Sequence, residues 1–78
     1  MNLPIGNRVG EITYFKREKK YGFIRDTESD REFFFMASDV ALDPIDILAG
    51  TPVTFKVKKD VNPSNGNNTL RAYLVRLR

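Results

Sequence analysis

Apolar and polar residues alternate most cleanly between Thr51 and Lys58, where Val53, Phe55 and Val57 interleave with Thr54, Lys56 and Lys58. A period of two over this length predicts a half-buried strand. Four further runs are rich in β-branched and aromatic residues and short enough to be strands: Val9 to Lys16, Tyr21 to Arg25, Glu32 to Met36 and Thr69 to Leu77. The first two are joined by the hairpin-length link Arg17-Glu18-Lys19-Lys20, and the second and third by the polar stretch Thr27 to Arg31, which predicts a meander of antiparallel strands. The segment from Ala37 to Gly50 breaks this rhythm. Ser38-Asp39 can cap a brief helical turn and Pro44 stops anything longer, leaving Ile45, Ile47 and Leu48 to tuck under one end of the sheet. Asp60 to Asn68, with Pro63, Gly66 and four asparagines, reads as a loop. The last strand is apolar on both parities, as if it passed between two packed surfaces.

Five short strands, a longer insertion after the third and no long helix predict an all-β domain: a five-stranded antiparallel oligonucleotide-binding (OB) barrel over residues 9–78, preceded by a loose arm at 1–8. A small Src-homology-3-like barrel is the structural competitor. With 78 residues the core is thin, with no room for a deep enclosed cavity.

Composition narrows the chemistry. Cysteine and histidine are both absent, which removes disulfides, thiolate metal sites and the usual general base near neutral pH. A serine nucleophile at Ser29, Ser38 or Ser64 would have no evident base, so an enzyme is not expected. Asp39, Asp43 and Asp46 fit no cation-binding loop and read as a solvated acidic face; no metal or cofactor is expected. No basic, apolar leader pattern is visible and no apolar run could span a bilayer, so the expected setting is the cytoplasm, away from membranes.

Net charge is only +3, but it is unevenly spread. Residues 8–25 carry +4, residues 26–46 carry −6 and residues 56–78 carry +5, a pattern that would polarise the molecule and orient a polyanion. Seven of the nine aromatic residues fall between Tyr14 and Phe35, interleaved with Lys16, Arg17, Lys19, Lys20 and Arg25. In the second strand Ile24 suits the core, which turns Tyr21 and Phe23 outward with Arg25 beyond them; Gly22 would allow a ring or nucleotide to come close. In the third strand Phe33 and Phe35 suit the core, which turns Phe34 and Met36 outward. Of the adjacent pair Tyr14 and Phe15, the tyrosine is the better surface residue because of its hydroxyl. Phe55 is assigned to the core and Tyr73 is left open. Exposed rings beside lysine and arginine suit a single-stranded nucleic acid, because bases stack on rings and cations hold phosphates.

These residues resemble the cold-shock domain family. Gly10-Glu11-Ile12-Thr13-Tyr14-Phe15 is similar to the opening strand of that family, Lys19-Lys20-Tyr21-Gly22-Phe23-Ile24 to its first ribonucleoprotein motif, and Phe33-Phe34-Phe35-Met36-Ala37-Ser38, in part, to its second. The resemblance spans about residues 9–77. It implies an OB barrel that binds single-stranded RNA or DNA, with Tyr14, Phe15, Tyr21, Phe23 and Phe34 on the binding platform and Lys19 on the backbone. Four positions depart from the family pattern: Tyr14 replaces Trp, Lys20 replaces Gly, Met36 replaces His and Ala37 replaces Phe. The changes imply weaker stacking and more reliance on cations. The expected site therefore comprises Tyr14, Phe15, Lys16, Lys19, Lys20, Tyr21, Phe23, Arg25, Phe34 and Met36, in a monomer, with Leu70 to Leu77 as a surface for a dimer. The competing expectation is a protein-interaction module that keeps the barrel but has weakened or lost nucleic-acid binding, a reading that Met36 and Ala37 favour.

Overall fold

In a computed structural model the chain forms a closed five-stranded barrel; the structure describes residues 7–61, 66 and 68–78. The strands are β1 (Arg8–Lys16), β2 (Tyr21–Asp26), β3 (Glu32–Met36), β4 (Pro52–Val61) and β5 (Asn68–Leu77), and short 3-10 turns at Ala37–Asp39 and Pro44–Asp46 lie between β3 and β4. Around the barrel the order is β1-β2-β3-β5-β4, which is an all-β, OB-like arrangement. Neighbours pair antiparallel except at the closing seam, where β3 runs parallel to β5 with Phe34 opposite Arg71. The expectation of a wholly antiparallel barrel is corrected there. A sheet that closes after an odd number of strands must contain one parallel junction, and the long crossover between β3 and β4 permits it.

The strand boundaries shift a little from the sequence reading. Arg8 is the first residue of β1, not the end of an arm, and it pairs with Phe55. The expected arm otherwise falls at residues 1–6, outside the described residues, as does most of the expected loop at 62–65 and 67.

The interior is a cluster of Ile12, Ile24, Phe33, Phe35, Val40, Ile47, Val53, Phe55, Ala72 and Val75. Every strand contributes by alternation, but two bulges reset the count. In β1 the register with β2 shifts between Ile12 and Tyr14, which inserts Thr13 as an extra residue. Strict alternation would place Tyr14 inside with Ile12. The bulge turns Tyr14 out and sends Phe15 toward the core, where its ring stacks on Phe35 at 5.9 Å and 10°. In β5 the register with β4 shifts opposite Thr54/Lys56, and Leu74 takes a left-handed φ of 49°. Ala72 and Val75 are therefore both interior, while Leu74 and Leu77 are exposed. The apolar residues on both parities of this strand record a change of phase, not burial on two faces.

Of the three residues expected to plug the barrel end, only Ile47 does so, at 1% exposure. Ile45, in the 3-10 turn at Pro44–Asp46, is 71% exposed and Leu48 is 54% exposed.

Asp26, read from sequence only as part of an acidic block, is completely buried at the end of β2. It is ion-paired with the Arg8 guanidinium and accepts the Glu28 N–H at 2.9 Å. Burial pushes its carboxyl up, but the hydrogen bonds from Glu28 and Arg8 and the arginine's charge outweigh this and hold the pKa below the usual aspartate value. The pair fastens the start of β1 to the β2–β3 turn.

Candidate nucleic-acid interface

Inter-strand register defines the outer wall. Tyr14 of β1 faces Phe23 of β2, and Phe23 faces Phe34 of β3. One step along, Lys16, Tyr21 and Met36 form a parallel row. Because side chains in register stand on one face, these six residues share the outside of the barrel.

Tyr14 is the most open ring of the group, at 46% exposure. Its ring lies 6.3 Å from Phe23 at 32°, and Tyr21 meets Phe23 edge-on at 5.9 Å and 78°. Tyr21, Phe23 and Met36 are half-buried by their neighbours and keep one side to solvent. The rings thus form a stepped surface with differently inclined planes.

Gly22 makes this wall possible, in part as expected, by letting a neighbouring ring come close. A Cβ there would point inward, collide with the Tyr14 carbonyl oxygen and come within 3.0 Å of Phe15 Cα and the Phe35 ring. Its missing side chain admits the bulged backbone of β1 and the Phe35 ring, not a nucleotide.

Cations border the rings on one side. The link between β1 and β2 is a tight turn closed by the Lys20 N–H donating to the Lys16 carbonyl at 2.8 Å, with Lys20 at a left-handed φ of 59°. Lys19 and Lys20 are fully exposed, and neither they nor Lys16 form an ion pair among the described residues. Arg17 in the same turn donates to the Ile45 carbonyl at 3.5 Å. Arg25 lies at the other end of β2, within 3.6 Å of Asp30 and 3.9 Å of Glu32, so its charge is partly answered by the protein.

Two expected site residues are placed differently. Phe15 belongs to the packing layer beneath the wall, as described above. Phe34 is on the expected outer face but is only 2% exposed and does not belong to the interior cluster. It is covered by Arg71, whose guanidinium carbon lies 6.0 Å from the ring centre. Arg71 is held in turn by Asp39, through bonds of 2.8 Å and 2.9 Å to its Nε and Nη2, and by Asp60, at 2.6 Å to Nη1. Asp39 also accepts the Met36 N–H at 2.9 Å, capping the first 3-10 turn. Asp39 is therefore a structural partner, not part of a solvated acidic face. The hydrogen bonds that Arg71 donates to Asp39, against some loss of hydration and together with the bond to Asp60, raise the arginine's pKa; the Val61 N–H and Arg71 lower that of Asp60.

Sequence reasoning gave Arg71 no role. Its one signal was an arginine between Leu70 and Ala72, on the parity opposite Ala72. Tyr73, left open from sequence, lies on the wall of β4 and β5 with the Lys58 ammonium 4.8 Å from its ring centre. The expected polarisation of charge is also reduced, because acidic residues of the middle block pair with Arg8, Arg25 and Arg71 from the basic blocks.

No family model matches the chain, and no curated protein is detectably similar to it. Among the described residues no cluster of acidic side chains could hold a metal ion, and no helix is long and apolar enough to cross a membrane.

Proposed function

We propose that this barrel binds single-stranded RNA or DNA on the outer wall of β1 and β2, by stacking bases on Tyr14, Tyr21 and Phe23 and holding phosphates with Lys16, Lys19 and Lys20. The observation that carries the reading is the trio of adjacent, differently inclined rings, Tyr14 exposed and Tyr21 and Phe23 half-buried, beside three lysines that form no ion pair among the described residues. A surface cluster of rings is unfavourable in water unless a ligand covers it, and each stacked base contributes about 1–3 kcal/mol. Met36 extends the apolar floor. Arg25, shared with Asp30 and Glu32, adds less. Resemblance to cold-shock domains agrees with this use of the wall, and a cytoplasmic RNA chaperone or regulator is the role that weak, unselective stacking suits. It is a binding module, not an enzyme.

Titration of a fluorescent oligothymidine at several salt concentrations tests the proposal. If about four phosphates are engaged, log K against log[salt] slopes near −3. Absence of binding, or a flat salt response, overturns it. The exposed Ile45 and Leu48 favour one second reading, a protein-interaction module that docks through the 37–50 loop. Chemical-shift mapping separates the two: the proposal expects Tyr14, Tyr21 and Phe23 to move with oligonucleotide while the loop stays still.

A further inference from the structure

Phe34 stands on the outer face yet is closed to solvent, and the group that closes it is itself fixed at both ends. An arginine side chain on a surface ordinarily samples many rotamers. Here all three guanidinium nitrogens donate to carboxylates, Nε and Nη2 to Asp39 on one side and Nη1 to Asp60 on the other. Charge-assisted bonds of this kind, two of them bidentate, are about twice as strong as neutral ones. The side chain retains only 19% of its surface exposed.

We infer that Arg71 is a strap that ends the nucleic-acid track at Phe23, with Asp39 and Asp60 as its two latches. The inference rests on the proposed single-strand reading and adds what limits the site. A base advancing from Phe23 to Phe34 crosses one inter-strand step, about 4.8 Å, and finds the next ring already capped. Three of the five Arg71 N–H donors are already taken and its charge is answered by two carboxylates, so it offers an incoming phosphate little. The cluster of one arginine and two aspartates carries a net charge of −1 and repels the incoming backbone. The strap therefore sets the length of strand the protein holds, and makes Arg71 a specificity-determining residue although it touches no ligand.

The test uses the full chain and oligothymidines of increasing length. In the double variant Arg71→Ala, Asp60→Asn the strap is removed while the local charge stays at −1 through Asp39, so any gain comes from the uncovered ring. The expected result is affinity that continues to rise for one further nucleotide, ending about five- to tenfold above the unmodified protein, the lower range for one added stack. Chemical shifts give a second, independent readout on the unmodified protein. Phe34 ring signals stay fixed on saturation with oligothymidine while those of Tyr14, Tyr21 and Phe23 move, and Phe34 joins them in the double variant. Equal length dependence in the two proteins, or Phe34 moving with Phe23 before any substitution, overturns the inference. Should the double variant not fold, the shifts of the unmodified protein decide alone. If the unmodified protein binds no oligothymidine, the single-strand reading itself falls, a result distinct from binding with an unchanged length limit.

Discussion

On the wall of β1 and β2, Tyr14, Tyr21 and Phe23 meet solvent beside lysines that no carboxylate among the described residues engages; one strand further on, at the β3–β5 seam, Phe34 lies sealed beneath Arg71. Both regions combine outward rings with cations, and from composition they look alike. What separates them is the neighbouring anion. Arg71 has Asp39 and Asp60 within reach, and Arg8 has Asp26, so these arginines serve the fold. Their planar, multiply donating heads suit carboxylates fixed by secondary structure. Lys16, Lys19 and Lys20 lie on and beside a turn and form no ion pair among the described residues. A net charge or a block of basic residues cannot be read as phosphate-binding capacity until these internal pairings are subtracted.

The sharpest way to break the comparison is to truncate one ring from each region. Phe34→Ala should cost about 3 kcal/mol of stability, as for a buried aromatic, whereas Tyr14→Ala should stay within about 0.5 kcal/mol. Urea unfolding of both variants checks this; equal, small losses would mean that Phe34 is not sealed. Next in size, Asp26→Asn leaves Arg8 without its counter-charge and should destabilise by about 3 kcal/mol or somewhat less, Arg8 being partly exposed. The same pair predicts a pH effect. The folded-state pKa of Asp26 lies below its unfolded value of 3.8, so the stabilisation is complete well above that pH and is lost as pH falls through 3.8 toward the folded value. Melting temperature, followed by thermal unfolding from pH 6 to pH 2, should drop less steeply in the variant.

Binding effects come next. Tyr14→Ala should weaken oligothymidine binding by about 1–2 kcal/mol, roughly 5- to 30-fold, while Tyr73→Ala on the far wall leaves it unchanged. Comparable losses would place the ligand elsewhere on the barrel. The smallest effect belongs to Lys20, which holds a left-handed turn position at φ 59°. Lys20→Gly should raise stability by up to about 1 kcal/mol and flatten the salt slope by about 0.7 if this lysine meets a phosphate.

Much of this architecture was legible in the chain. The alternation through Val53 and Phe55, the hairpin-length link at Arg17 to Lys20 and the polar turn before Glu32 located the strands, because each follows from local sterics and patterning. The interior assignments of Ile24, Phe33, Phe35 and Phe55 agree with the structure. Tyr14 was placed outside on its hydroxyl, but the cause is the bulge at Thr13, which no residue type announces. The change of phase at Leu74 was equally hidden, since a leucine at positive φ runs against local preference and is held by tertiary pairing. Strand parity and the cold-shock resemblance both put Phe34 on the open platform. Its cover comes from a strand much later in the chain, joined by a parallel contact that no local pattern encodes.

The bulge at Thr13 adds one residue to β1 and thereby decides which rings face outward. Were it ironed out with Thr13 retained, strict alternation from Ile12 would swing the Tyr14 ring into the barrel and expel Phe15; loss of Thr13 itself would leave Tyr14 outside and Phe15 inside, because Tyr14 would then follow Ile12 directly. Relatives of this barrel can therefore differ by one residue between Ile12 and Phe15 and still present the same rings.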